Sequence, residues 1–160
     1  MSEMSESIEV EVPLTVAYNQ WTQFEEFPRF MEGVIEVRQV TDESLEWRGE
    51  VAGVERSWGA RITEQIPDRR IAWVGTEGEK IDGTVEFEPV GEGRTRVRLT
   101  MRFEPDDAVE KAGDALQVVE GRVKGDLERF KRFIESAGHE TGAWRGEIPP
   151  DQPEPGRISA

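Results

Sequence analysis

Two side chains in this sequence could handle a proton inside a folded interior. Glu64 shares one face of an alternating stretch with Arg56, Trp58, Ala60, Ile62 and Ile66, close to the turn at Pro67. A carboxylate on such a face is partly shielded from water, which disfavours its charged form and raises its pKa towards the range of a general acid or base. The same position equally suits a structural carboxylate that accepts backbone N–H groups or an arginine at the turn, since buried acids are most often paired. Tyr18 is the only tyrosine and falls in a helical stretch. It reads either as a hydroxyl donor aimed into a pocket or as an amphipathic core ring with its hydroxyl at the surface. Arg56, near the start of its strand, is placed to reach solvent at the mouth of such a pocket. Other chemistries close quickly. The chain has no Cys and one His, His139, so thiol catalysis, Cys-based zinc sites and a Ser-His-Asp triad have no residues to build them. Neither a metal nor a cofactor is expected, and the glycine turns at 75–78 and 91–93 lack the strand-to-helix setting of a phosphate loop.

The remaining composition narrows the partners. A chain of 160 residues argues for one domain with one core, and the five Trp and seven Phe supply large buried areas despite a hydrophobic content of only 36%. Net charge is 20 − 34 = −14, which gives no electrostatic route to nucleic acid or to an anionic membrane surface. No run approaches 18 apolar residues and the start is acidic, so neither a transmembrane helix nor a secretory signal is expected, and the cytoplasm is the expected compartment. Residues 1–6 read as a flexible N-terminus, 7–137 as the folded domain, and 138–160 as a Pro/Gly-rich tail, mostly disordered from Ile148 onward. Trp144 is unusual in so polar a tail and is expected to dock back onto the domain or onto another subunit, the latter making a homodimer.

Period-two alternation dominates between the ends. Strands are expected at 7–12, 44–51, 80–89 and 94–103, with weaker ones at 34–40, 54–66 and 69–75. Each strong strand has one apolar and one charged face, as in an antiparallel sheet covered on one side. The arginine row Arg94, Arg96, Arg98 and Arg102 faces Asp82, Glu86 and Glu88 as a cross-strand charge ladder. Two short helices are expected at 13–21 and 22–31, and a long one from about 106 to 136 with the stripe Ala112, Leu116, Val119, Val123, Leu127, Phe130 and Ile134. Only the inner face of the sheet offers this helix a partner of matching size. The expected fold is therefore α+β: a seven-stranded bent antiparallel sheet wrapped around a long C-terminal helix, in β-α-α-β6-α order.

A curved sheet and a straight helix diverge somewhere along their length, which leaves an apolar cavity unless bulky side chains fill it. The inward face mixes Trp47, Trp58, Trp73, Val85 and Phe87 with the small residues Gly49, Ala60 and Gly83. Rings beside glycines either leave room for a flat hydrophobic guest or fill the space themselves, with the small residues relieving crowding. Phe27, Phe30 and Met31 lie on a segment placed across one end of the sheet, where they either gate an opening or simply pack.

The element order resembles the helix-grip (START-like, SRPBCC) superfamily, and several stretches resemble its bacterial polyketide cyclase/dehydrase branch. These are Ala17-Tyr18-Asn19-Gln20-Trp21 leading to Phe27-Pro28-Arg29-Phe30-Met31, Trp58-Gly59-Ala60-Arg61-Ile62-Thr63-Glu64, Arg70-Ile71-Ala72-Trp73, and the closing Val123-Lys124-Gly125-Asp126-Leu127. The resemblance covers roughly residues 7–137. It implies a cavity for a small hydrophobic ligand (aromatic, polyketide-like, lipid or quinone-like), lined by the residues above together with Arg56, Leu116 and Val119. Cyclising a polyketide would need a base and an oxyanion donor in that cavity, the roles open to Glu64 and Tyr18. The inward strand arginine of the family's aromatic cyclases has no certain counterpart. A third use, as an acidic protein-interaction module presenting the Trp144 tail, remains alongside binding and catalysis.

Overall fold

A computed structural model describes residues 2–51, 53–78, 81–103 and 112–150, with the backbone alone for 2, 51 and 112–119. Strand β1 (Ser2–Val10) leads to helix α1 (Leu14–Trp21) and a 3-10 segment (Phe24–Arg29). Then come β2 (Val34–Gln39), β3 (Ser44–Val51), β4 (Val54–Ile66), β5 (Arg70–Glu77), β6 (Ile81–Gly91), β7 (Arg94–Phe103) and helix α2 (Ala112–Ala137). The seven strands form one antiparallel sheet in the order β1-β7-β6-β5-β4-β3-β2. The second short helix is thus a 3-10 segment instead of an α-helix, because Pro28 removes a backbone donor and fixes the chain in a tight turn.

Alternation sorts the two faces as expected. One cross-strand row reads Ile62, Trp73, Gly83, Met101 and Met4, and its neighbour reads Ile71, Val85 and Leu99. These face inward, and α2 adds Val123, Leu127, Phe130 and Ile134, all buried. Beside β1 the helix is held by polar contacts: Glu135 accepts from the Glu11 N–H at 2.7 Å, and Lys131 donates to the Glu9 carbonyl at 2.9 Å. The outer face carries the charge ladder, in which Arg96 bridges Glu9 and Glu88.

The N-terminus departs from expectation. Residues 2–6 are not a flexible lead but the first half of β1, in register from Ser2 opposite Phe103. Their alternation of Ser and Glu with a single Met hides a strand that β7 supplies with a full set of backbone partners. The tail departs as well, since residues 138–150 cross α1 and the end of β4. Gln20 and Thr141 exchange two hydrogen bonds at 3.0 and 2.8 Å, Asn19 donates to Glu140 at 2.9 Å, and the Trp144 N–H donates to Thr22 Oγ1 at 3.1 Å. Arg145 forks onto Asp68 at 2.8 and 3.0 Å, and Ile148 pairs with Gln65 through both backbone groups. A segment that supplies partners to buried Asn19, Gln20 and Thr22 is ordered by them in turn. Of the two uses open to Trp144, the one adopted is docking on its own domain, where it packs against the core. The rest of the expected tail, 151–160, lies outside the described residues.

Candidate functional site

The inner face is aromatic. Phe27 is fully buried and its ring lies 5.2 to 6.5 Å from those of Trp21, Phe24, Phe30, Trp47 and Trp73. Phe30 and Met31 are buried beside it, so this segment is core and not an opening. Trp47 stacks on Trp58 with centroids 6.0 Å apart and planes 10° from parallel. Trp73 lies over Gly83, where an added Cβ would sit 2.4 Å from the indole Cζ2. At Gly49 a Cβ would fall 2.5 Å from the Gly33 carbonyl oxygen and 3.1 Å from Trp58 Cη2. At Gly83 the indole itself occupies the space, whereas at Gly49 the Gly33 carbonyl does so, with Trp58 beside it. Ala60 and Val85 are buried in the same wall.

Burial is uneven along this face. At the end next to α1 it is sealed, whereas Trp58, Ile81, Met101 and Phe103 at the other end remain half-buried. Arg56 sits there too, on the inner face opposite Gly49 and half-buried, which makes it an inward strand arginine. Leu116 and Val119 belong to α2, but their side chains lie outside the described residues. Two surface clefts of about 460 and 560 Å³ are of another kind. One is walled mainly by Arg69, Arg70, Glu86, Glu88, Arg96 and Arg98, and the other by Glu36, Arg38, Glu46, Arg48 and Glu77 together with Trp47 and Trp58.

Glu64 does not reach the interior. The register steps two residues on β4, Ile62 to Glu64, against one on β5, Trp73 to Ala72. This bulge turns Glu64 to the outer face and turns Gln65 inward. Glu64 Oε1 there accepts from Arg70 Nε at 2.8 Å, and Arg70 also holds Glu86. The structural use of this carboxylate is the one adopted. One carboxylate that the alternation of 7–12 did not reveal does share the inner face: Glu6, half-buried between Met4 and Ile8 and opposite Leu99. On α2, buried Asp126 accepts from the Glu32 N–H at 3.0 Å and from Arg129, tying the loop before β2 to the helix. Burial pushes its pKa up while the two donors oppose the rise.

Tyr18 is completely buried, hydroxyl included, with its ring edge-on to Phe87 at 5.4 Å and Arg145 above it at 5.5 Å. Among the described residues its hydroxyl makes no well-aligned hydrogen bond, and burial pushes its pKa up to about 12, against a smaller lowering by the Gln65 carboxamide that approaches it. Because the folded pKa lies above the ordinary 10.0, the folded state loses stability as pH rises from 10 through 12. As this is the only tyrosine, phenolate absorbance should be nearly absent at pH 10 in the native protein and half-developed at that pH in denaturant. Equal absorbance under both conditions would place the hydroxyl in water.

Residues 10–132 match the family described as polyketide cyclase / dehydrase and lipid transport, and the chain belongs to that family. A 17.2 kDa protein of Streptomyces lincolnensis, encoded between melC2 and rnhH, is 53% identical over 150 residues, which span 92% of this chain and 99% of the relative. Among solved structures, the ZhuI aromatase/cyclase of a Streptomyces species superposes with a TM-score of 0.72 at 17% identity, covering 89% of this chain and 99% of that one. A START superfamily protein from Mycobacterium smegmatis gives a TM-score of 0.63 at 16% identity over 80% of this chain and 98% of its own. At these identities the likeness is one of fold: a START-like curled antiparallel sheet with few helices. No helix among the described residues is long and apolar enough to cross a membrane, and no cluster of His, Asp and Glu among them is placed to hold a metal.

Proposed function

We propose that the protein binds a small, flat hydrophobic ligand between the inner face of its sheet and α2, with no metal or cofactor. The observation that carries this reading is the uneven burial of the inner face. Stacked Trp47 and Trp58 form an indole platform whose outer member stays half-buried, as do Met101 and Phe103 on β7 at the same end of the inner face. Apolar ring surface left partly open inside a concave sheet is the usual lining of a ligand site. Family membership supports it, since the family description spans lipid transport as well as cyclisation. The ligand class is aromatic, polyketide-like, lipid or quinone-like, and the long C-terminal helix gripped by the sheet closes the site. Trp58→Ala should weaken binding of naphthalene, read by tryptophan fluorescence, at least tenfold with the fold intact. Unchanged affinity in that variant would remove the platform from the site.

Cyclisation or dehydration of a bound polyketide is the second reading. The fully buried Tyr18 hydroxyl favours it, because a phenol that stays protonated to about pH 12 can donate to a developing oxyanion without ionising itself. Glu6 is the carboxylate that shares the inner face with it.

A further inference from the structure

Helix α2 is tied to both edges of the sheet by the same device. Near its C-terminal end, Glu135 accepts from the Glu11 N–H just after β1 and pairs with Lys131, four residues away. One stretch earlier, buried Asp126 accepts from the Glu32 N–H just before β2 and pairs with Arg129, three residues away. β1 and β2 are the two edge strands, so these carboxylates staple the open sides of the curled sheet to the helix. At 1.5 Å per residue the staples stand about 13 Å apart along α2.

The Asp126 staple belongs to a polar stripe. Arg122, Asp126 and Arg129 follow spacings of 4 and 3 and so share one face, each one position ahead of buried Val123, Leu127 and Phe130. All three meet main-chain groups of the facing wall: Arg122 the Glu50 carbonyl at 3.5 Å, Asp126 the Glu32 N–H at 3.0 Å, and Arg129 the Phe30 carbonyl at 3.1 Å. What they hold leads directly to the indole platform. The Gly33 carbonyl accepts from the Glu50 N–H at 2.8 Å, and it lies beside Trp58 Cη2 over Gly49, 2.5 and 3.1 Å from where a Cβ would sit. On the other side of Gly33 the Arg122 guanidinium fills the space of a Cβ. Residues 30–33 are thus pressed between α2 and the platform. The Glu135 staple has no such neighbour, since β1 is the strand farthest in sheet order from β3 and β4, which carry Trp47 and Trp58.

We infer that Asp126 is a positioning residue of the binding site: by holding residues 30–33 against Gly49 it fixes Trp58, and so sets how tightly a guest is held on the platform. This inference rests on the binding reading above and adds to it a residue outside the platform itself. Without the staple, the Glu32 N–H loses its acceptor and the Gly33 carbonyl is free to leave its place beside the Trp58 ring.

The second staple supplies the control. Asp126→Ala and Glu135→Ala each remove one carboxylate that accepts from one backbone N–H, so each should unfold at an earlier denaturant midpoint. Naphthalene binding, read by tryptophan fluorescence, should separate them: at least tenfold weaker in Asp126→Ala and within about threefold of wild type in Glu135→Ala. Asp126→Asn keeps an oxygen that can accept from the Glu32 N–H, and should bring affinity back to within about threefold of wild type. If Asp126→Ala fails to fold, Arg129→Ala removes the neighbouring bond to the Phe30 carbonyl and should weaken binding by at least threefold. Equal losses of affinity in the two alanine variants, unchanged affinity in Arg129→Ala, or Asp126→Asn binding as weakly as Asp126→Ala, would overturn the inference and leave the platform standing. A wild-type chain that binds no naphthalene would overturn the binding reading, and this inference with it.

Discussion

Phe27→Ala should destabilise the fold by about 3–5 kcal/mol, the upper range for removing a buried ring. Denaturant unfolding would show this as an earlier midpoint with an unchanged slope. Five aromatic rings lie around Phe27 within 5.2 to 6.5 Å, and they come from α1, the 3-10 segment and the residue that follows it, β3 and β5. No neighbour can rotate into the void without abandoning contacts on its own far side, so the cavity persists and its cost adds to the lost transfer energy. The same substitution separates packing from gating. A gate residue would change the rate of ligand entry with little change in stability. A packing residue changes stability first, and an unfolding midpoint within a few tenths of a molar of wild type would return Phe27 to the rim.

Much of this arrangement was legible in the sequence because its carriers obey strict periods. Val85, Phe87, Val97 and Leu99 face inward for the same reason that Glu86, Glu88, Arg96 and Arg98 face outward, namely the period of two. Val123, Leu127, Phe130 and Ile134 follow the helical period and are all buried. What escaped was whatever breaks a period or lacks one. The bulge between Ile62 and Glu64 has no Gly or Pro to announce it, yet one extra residue exchanges Glu64 for Gln65 on the inner face and with it a carboxylate for a carboxamide. Strand pairing at 2–6 depends on β7, and nothing in the alternation of Ser and Glu shows that a partner exists.

The platform was half legible. Trp47 and Trp58 fall at inward positions by simple alternation, but whether an indole fills the room over a glycine depends on its rotamer, which composition does not contain. Trp73 over Gly83 fills it, whereas Trp58 at the sheet's end stays half-buried. The tail did leave a signal on α1. Asn19 and Gln20 lie beside Tyr18 and Trp21 on a helix too short to bury polar groups unaided, so their burial requires partners from elsewhere.

Removing residues 139–160 should lower stability, because Ile148 and Trp144 lose their packing and buried Asn19, Gln20 and Thr22 lose their partners, read as an earlier denaturant midpoint. The Arg145–Asp68 pair adds little to this because both side chains are partly exposed. The sharper reading comes from a double-mutant cycle. Asn19 donates to Glu140 and accepts from Arg145, so Asn19→Ala should cost about 1–2 kcal/mol in the full chain. In the shortened chain the same change should cost almost nothing, since water then serves Asn19. Equal costs in both backgrounds would mean that the tail strap, residues 138–150, does not bond α1 in solution. The predicted coupling follows from position alone: Asn19 can be buried only while the strap covers it, so its energetic weight has to disappear with its cover.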